Sequence, residues 1–219
     1  MIQKCDRIAT FTNAESVIIS SKMKCGFPTY IYNNSAYLCI DADRLIISGE
    51  ISDVSEIIEF AKMYGCNCVL CDTGNSKFFA GDIIQYGQTM CKLCDTKKPL
   101  KSTAFPNYSQ IYKTLEPDFS LPCYEEFLLN LHRMLQSNSG AVIEYNDCIA
   151  ILQTAGKCAY ISVIHTKPEY RRQGKGFKMI DLISQSFDKI YLYKEENEND
   201  EFYKKAGFTQ ISEFEIRKL

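Results

Sequence analysis

The chain has 219 residues, of which 46% are apolar and 24% charged, and its formal net charge at pH 7 is −2. That composition belongs to a folded globular chain, and the small net charge excludes an overall field that would draw the chain onto nucleic acid or anionic lipid. No apolar run approaches the roughly eighteen residues of a membrane span. The opening "MIQKCDRIATFTN" lacks an apolar signal core, so the expected location is the cytoplasm.

The first half opens with strand-like pieces, "TYIYNN", "AYLCID" and "RLIISGEI". A helix comes next. Asp53 and Glu56 have the spacing of a capping box, Val54, Ile57, Ile58 and Ala61 fall on one helical face, and Gly65 stands where a helix C-terminal glycine belongs. "CNCVLC" is the next strand, and "TGNSKFFAGDIIQYGQ" reads as a loop with a short helix or strand. Eleven cysteines occur in all. Without an export signal the expectation is reduced thiols serving as small buried hydrophobes. Cys68-x2-Cys71 followed by Cys91-x2-Cys94 also has the spacing of a four-thiolate zinc site, which would make the chain a zinc-dependent interaction protein. Neither pair carries the turn glycine of a zinc knuckle, and buried thiols are the preferred reading, with no metal assigned.

"DTKKPLKSTAFPNYS" is polar and turn-rich, and Pro106, Pro117 and Pro122 punctuate this part of the chain, placing a boundary within 100–122. The expected organisation is an N-terminal α/β domain over residues 1–116 and a second domain over 117–219. "YEEFLLNLHRMLQ" is an amphipathic helix with Tyr124, Leu128, Leu131 and Leu135 on one stripe. Three strands then form a meander, "AVIEY", "CIAILQ" and "CAYISVIHT", turning at Asn146-Asp147 and Ala155-Gly156. A helix over Phe177–Phe187, a strand "KIYLY", a short helix "NDEFYKKA" and a last strand "FTQISEFEI" complete the chain.

"KPEYRRQGKGFKM", from Lys167 to Met179, lies between a strand and a helix. Gly174 and Gly176 let the backbone approach a ligand closely. The first turn of the adjoining helix presents N–H groups without intrahelical partners, and the helix dipole adds partial positive charge. Arg171, Arg172 and Lys175 add formal charge, so the turn reads either as a seat into which a pyrophosphate would fit or, taken alone, as a plain strand-to-helix turn with a solvated basic face. About thirty residues on stands "EFYKKAGF", Glu201 to Phe208.

Together, "VIHTKPEYRRQGKG" and "EFYKKAGF" resemble the GNAT superfamily of acyl-CoA-dependent N-acyltransferases over roughly residues 120–219, and the first stretch looks like the glycine N-acyltransferase-like branch. The resemblance implies an α/β (α+β) fold with a mixed, mostly antiparallel sheet flanked by helices. It leaves residues 1–116 either to supply the missing first elements or to be a diverged GNAT-like half. It implies acetyl-CoA or another acyl-CoA as co-substrate and a small-molecule or peptide amine as acceptor, acylated by direct attack in a ternary complex. Arg171, Arg172, Gln173, Gly174, Lys175, Gly176 and Phe177 would hold the cofactor diphosphate, mainly through backbone N–H groups. Ile164 and Thr166 would line the pantetheine arm through their main chain, and Tyr203 would protonate the departing thiolate. The family's asparagine seven residues before that tyrosine is replaced by Glu196, and Asn197 and Asn199 are out of register. The general base is left open between His165 and Glu144, with His132 a boundary residue. The alternative function is an acyl-CoA-binding sensor or interaction module that does not turn over.

Overall fold

The structure is a computed structural model, and it describes residues 1–8, 10–95, 98–103, 106–196 and 198–219. Among these, eleven strands form one sheet, ordered β1-β2-β3-β4-β5-β11-β6-β10-β9-β8-β7. The N-terminal elements are β1 Ile2–Lys4, α1 Ala14–Lys24, β2 Thr29–Tyr32, β3 Ala36–Asp41, β4 Arg44–Gly49, α2 Val54–Met63, β5 Cys68–Asp72, α3 Thr73–Ser76 and β6 Ile83–Leu93. After α4 Tyr108–Leu115 come α5 Tyr124–Gln136, β7 Gly140–Tyr145, β8 Cys148–Ala155, β9 Cys158–Thr166, α6 Lys175–Ser184, β10 Lys189–Glu195, α7 Asp200–Lys205 and β11 Thr209–Lys218.

Apart from β1 and α4, this order repeats itself. Each arm runs helix, three-stranded meander, crossover helix, strand, short helix, strand. In each, the strand after the crossover helix pairs in parallel with the meander's third strand for three residues only: Arg44 to Ile46 with Cys68 to Leu70, and Cys158 to Tyr160 with Lys189 to Tyr191. The final strands are exchanged. β11 is antiparallel to β5, and β6 is antiparallel to β10, while β6 and β11 pair with each other at the centre. The result is the mixed, mostly antiparallel sheet that the sequence led us to expect, with the two arms joined through their last strands.

Side chains alternate across the sheet as strand geometry requires. Ala150, Leu152, Ile161, Ile190 and Leu192 pack beneath Met179, Ile180 and Ile183 of α6. Burial of each such side chain contributes about 1.5–3 kcal/mol. In the first arm Leu38, Leu45, Ile47 and Val69 pack beneath Ile57, Phe60 and Ala61 of α2. The opposite face is covered by α1 over the centre and by α4 and α5 over β7 and β8.

Asp53 caps α2 as its spacing suggested, accepting from Ser55 N at 2.9 Å and Glu56 N at 3.3 Å, but the Glu56 carboxylate turns to the Met1 amine at 3.3 Å instead of closing the box. Helix α6 starts two residues before Phe177. "TGNSKFFAGDIIQYGQ" holds the short α3 and the start of the eleven-residue β6. Helix α1 was not expected from the sequence, and the reason is physical: Ala14 through Ser21 are all buried, so there is no polar stripe to show a period. Of the turn-rich linker, Thr96, Lys97, Ala104 and Phe105 lie outside the described residues, as does Asn197.

The four cysteines of the zinc-like spacing do not converge. Cys68 and Cys71 are three apart on one strand and so point to opposite faces, Cys68 into the layer under α1 and Cys71 into that under α2. Cys91 and Cys94 likewise join different clusters. Seven of the eleven thiols are buried, as small hydrophobes. Among the described residues, no helix is long and apolar enough to cross a membrane.

Candidate active site

β9 and β10 part company after Tyr160 and Tyr191. β10 stays with β6 out to Glu195, whereas β9 stays with β8 out to Thr166, so a wedge opens between them. On β9 the ladder to β8 also slips between Ile151 and Leu152, which leaves Ser162 as an extra, bulged residue at the apex of the wedge. The open end leads to the glycine turn and α6.

The turn is built from a 3-10 segment, Pro168–Tyr170, followed by Arg172 with φ 61° and Gly174 with φ 75°. Gly174 is the N-cap of α6 and no side chain caps the helix. The N–H groups of its first turn therefore face out of the helix without an acceptor among the described residues. A Cβ on Gly174 would meet nothing within 4 Å, so glycine is needed there for its left-handed backbone, not for space. At Gly176 a Cβ would stand 3.1 Å from the Phe202 ring, so glycine there allows α6 to sit close against α7. Phe177 and Phe202 meet edge to face at 4.8 Å.

Two of the three basic side chains at the turn are engaged by carboxylates. Arg171 donates to the Thr166 carbonyl at 2.9 Å and to Asp118 at 2.6 Å. Lys175 reaches Asp147 at 3.1 Å and lies over the Tyr170 ring at 3.9 Å. Two of the three cations are thus already matched by carboxylates, and among the described residues Arg172 alone of the three has no acidic partner. Gln173 donates to the Glu169 carbonyl at 3.4 Å. Ile164 packs with the α6 layer, and the Thr166 hydroxyl donates to the Cys148 sulfur at 3.4 Å. What remains for an anion is mainly backbone: the uncapped first turn of a helix with its dipole.

Tyr203 lies on α7, packed on the same cluster as Ile161 and Leu192, the first residues beyond the apex. Its ring touches Phe202 and Phe208 edge to face. Burial, with Glu198 nearby, pushes its phenol up to about 12. Its hydroxyl has no hydrogen-bond partner among the described residues. The sequence-suggested site residues are therefore brought together around one wedge.

The candidate bases are not. His165 sits four residues along β9 from Ile161, about 13 Å of strand, at the open end of the wedge. Its Nδ1 is 3.4 Å from Asp118, its ring rests on Phe119, and burial holds its pKa below the ordinary histidine value. It helps to position Asp118 against Arg171. Glu144 is exposed on the edge strand β7, two strands away, and His132 is exposed on α5.

Two further features were not found from sequence. The first is Asp118, which pairs with Arg171 across 53 residues of chain and with His165 as well. The second is Glu15, 1% exposed on α1, which accepts from the Tyr193 hydroxyl at 2.6 Å. The Asn13–Ser16 capping box was the available signal for the start of that helix. Burial raises the Glu15 carboxyl above its ordinary value, outweighing the Tyr193 hydrogen bond that lowers it. A carboxyl raised on folding favours the protonated native state, so its stabilisation is present below the unfolded value near 4.5 and is lost as pH rises through the folded one. Glu15→Gln keeps an oxygen for Tyr193 and removes the buried charge. Its melting temperature should exceed the parent's at pH 8, by about 2–4 °C for each kcal/mol, and match it near pH 4. A variant less stable at pH 8 would show that Glu15 is not a buried-charge cost.

The first arm has the same wedge, but it is closed by its own side chains. The Asp53 carboxylate occupies the N-terminus of α2. Where β4 and β5 diverge, the Asn75 side chain donates to the Gly49 carbonyl at 2.7 Å and accepts from Ile51 N at 3.4 Å.

Residues 107–208 match the acetyltransferase (GNAT) family. No curated protein matches the chain by sequence. By structure the chain is similar to a GCN5-related N-acetyltransferase from Sphaerobacter thermophilus, with TM-score 0.57 at 9% identity over 100% of this chain and 95% of that one. It is also similar to a GCN5-related N-acetyltransferase from Kribbella flavida, with TM-score 0.55 at 11% identity over 96% of each chain. A tandem GNAT protein from the clavulanic acid biosynthesis pathway gives TM-score 0.51 at 12% identity over 93% of this chain and 87% of that one. At such identities the structural likeness speaks to the fold, while the family match rests on the segment that holds the glycine turn and Tyr203. The family assignment is thus of residues 107–208, which carry a GNAT acetyltransferase domain.

Proposed function

We propose that the chain is an acyl-CoA-dependent N-acyltransferase, most simply an N-acetyltransferase, whose single acyl-CoA site lies in the second arm. The observation that carries this reading is the contrast between two equivalent helix termini. The α2 terminus is filled by the Asp53 carboxylate, and the α6 terminus is left uncapped behind a left-handed glycine. The residues fit a diphosphate: the N–H groups of Lys175, Gly176 and Phe177 supply donors, and Arg172 supplies charge. The wedge edge of β9, including Ile164 and Thr166, offers main-chain groups to a pantetheine arm. Residues 1–116 are, on this reading, a diverged arm of the same architecture that has lost its own seat.

Bound acyl-CoA supplies an activated acyl carbon and a thiol leaving group. A main-chain N–H at the Ser162 bulge would donate to the thioester oxygen as negative charge develops there. The wedge holds the two reactants together, which contributes much of the rate. Tyr203 gives its proton to the leaving sulfur. A lysine-like amine would arrive charged, and neutralising it at pH 7 costs roughly 4–5 kcal/mol, so the amine must lose a proton before or during attack.

Calorimetry with acetyl-CoA should give one site per chain, and acetyl-CoA with an amine panel should release thiol. Binding without thiol release across the panel would make the chain a sensor. Absence of binding at millimolar acetyl-CoA would remove both readings.

A further inference from the structure

A cleft of about 180 Å³ opens on the face of the sheet opposite α6 and α7, between α1 and α5. Its floor is Ile151, Gln153, Ser162 and Val163, so it reaches the bulge at the apex of the wedge. Its walls are mostly apolar, with Phe27 from the first arm and Phe127, Leu131 and Met134 nearby. The Gln153 amide is fixed: its Nε2 donates to the Ser162 hydroxyl at 3.1 Å. Its Oε1 is buried and has no partner among the described residues. A buried acceptor left unmade is costly, and it belongs to a residue that lines the cleft next to the place where an acyl group would be transferred.

No Asp, Glu or His is among the described lining residues. The one cation among them, Lys22, is paired with Asp41 at 2.8 Å and lies over the Phe27 ring at 4.6 Å. An ammonium group would find no counter-ion here and no base to take its proton. An amine that is already neutral needs no counter-ion, and no base before attack, and one of its N–H groups suits a lone amide oxygen. For size, an apolar cavity of about 150 Å³ holds a benzene ring.

From these observations, and resting on the acyltransferase reading, we infer that this cleft takes a single-ring aromatic amine, uncharged at neutral pH, whose nitrogen donates to Gln153 Oε1. The nitrogen then bonds to the acyl carbon, the carbon–sulfur bond breaks, and the amine gives up one proton while the sulfur leaves as thiol. Amine and acyl-CoA become amide and CoA. Gln153 is thus a specificity residue, and α1 makes the first arm part of the acceptor site.

Fluorine NMR of 4-fluoroaniline and 4-fluorobenzylamine, with and without CoA, tests the inference apart from turnover. The uncharged aniline should bind the parent more tightly than the cationic benzylamine at pH 7. Gln153→Met should weaken aniline binding about tenfold, the loss of one hydrogen bond to a buried acceptor. Gln153→Glu should reverse the preference by supplying a counter-ion. Asn130→Trp, on the half-buried side of α5, should block the aniline while acetyl-CoA binding measured by calorimetry stays intact. Tighter binding of the benzylamine to the parent, or aniline binding indifferent to Asn130→Trp, would overturn it. Loss of acetyl-CoA binding in the parent would instead count against the acyltransferase reading, since the amine measurements do not depend on it.

Discussion

Gly174→Asp is expected to weaken acetyl-CoA binding by at least about a hundredfold, equivalent to ~2.7 kcal/mol, with little change in melting temperature. The first arm supplies the precedent within the same chain. There a carboxylate at the helix terminus, Asp53, already holds the N–H groups that an anion would need. At Gly174 an aspartate would bring a negative charge to the mouth of α6, where Arg171 and Lys175 are committed to Asp118 and Asp147 and do little to screen it. Repulsion of the diphosphate adds to the loss of donors. The fold should tolerate the change for two opposing reasons. Holding a non-glycine residue at φ 75° costs on the order of 1 kcal/mol, less for Asp than for most residues, and an acidic group near a helix N-terminus returns about 0.3–1 kcal/mol. A Cβ there also meets open space. Gly174→Ala separates the two effects: it carries the backbone strain without the charge and should lose far less affinity. Equal losses in the two variants would mean that backbone shape, not the emptiness of the helix terminus, governs binding. Unchanged affinity in both would remove the seat from the α6 turn.

One physical rule separates the elements legible in the sequence from those that were not. Elements with one wet face announced themselves: α5 through its Leu128, Leu131 and Leu135 stripe, α2 through Asp53 and Ile57, and the β7–β9 meander through its turns. The glycine turn was legible because positive φ leaves a residue-type signature. Helix α1 was silent because it is buried through eight successive residues, and the start of β6 was ambiguous because its apolar Ile83 and Ile84 are exposed side by side and show no alternation. The strand exchange between the arms was hidden because pairing partners about a hundred residues or more apart leave no local mark. The charges of Arg171 and Lys175 were legible as residue types but not as spent ion pairs, because Asp118 and Asp147 reach them only through the fold. For the same reason the apex of the wedge escaped notice: a bulge at Ser162 and an orphaned oxygen on Gln153 depend on register, and one residue of slip changes which face a side chain occupies.

Tyr203→Phe should lower turnover with acetyl-CoA about ten- to a hundredfold and leave the KM for acetyl-CoA within about twofold. General acids contribute about 10²–10⁴ in rate, and the lower end is appropriate because a thiol, with a pKa near 8.5, leaves far more readily than an alkoxide. Stability should not fall. The hydroxyl of this half-buried residue has no partner among the described residues, and the ring contacts with Phe202 and Phe208 survive the change. The pH dependence carries a further condition. Burial holds the phenol near 12, so it keeps its proton throughout the ordinary assay range. The ratio of parent to variant turnover should therefore be flat between about pH 6 and pH 10, and any acidic or basic limb in the parent's profile must persist in the variant, because it belongs to another group. A ratio that decayed towards one at high pH would mean a phenol with an ordinary pKa and a more exposed Tyr203. Unchanged turnover at every pH would show that the sulfur is protonated by solvent or by some other residue, and Tyr203 would then be a packing residue between α7 and the sheet.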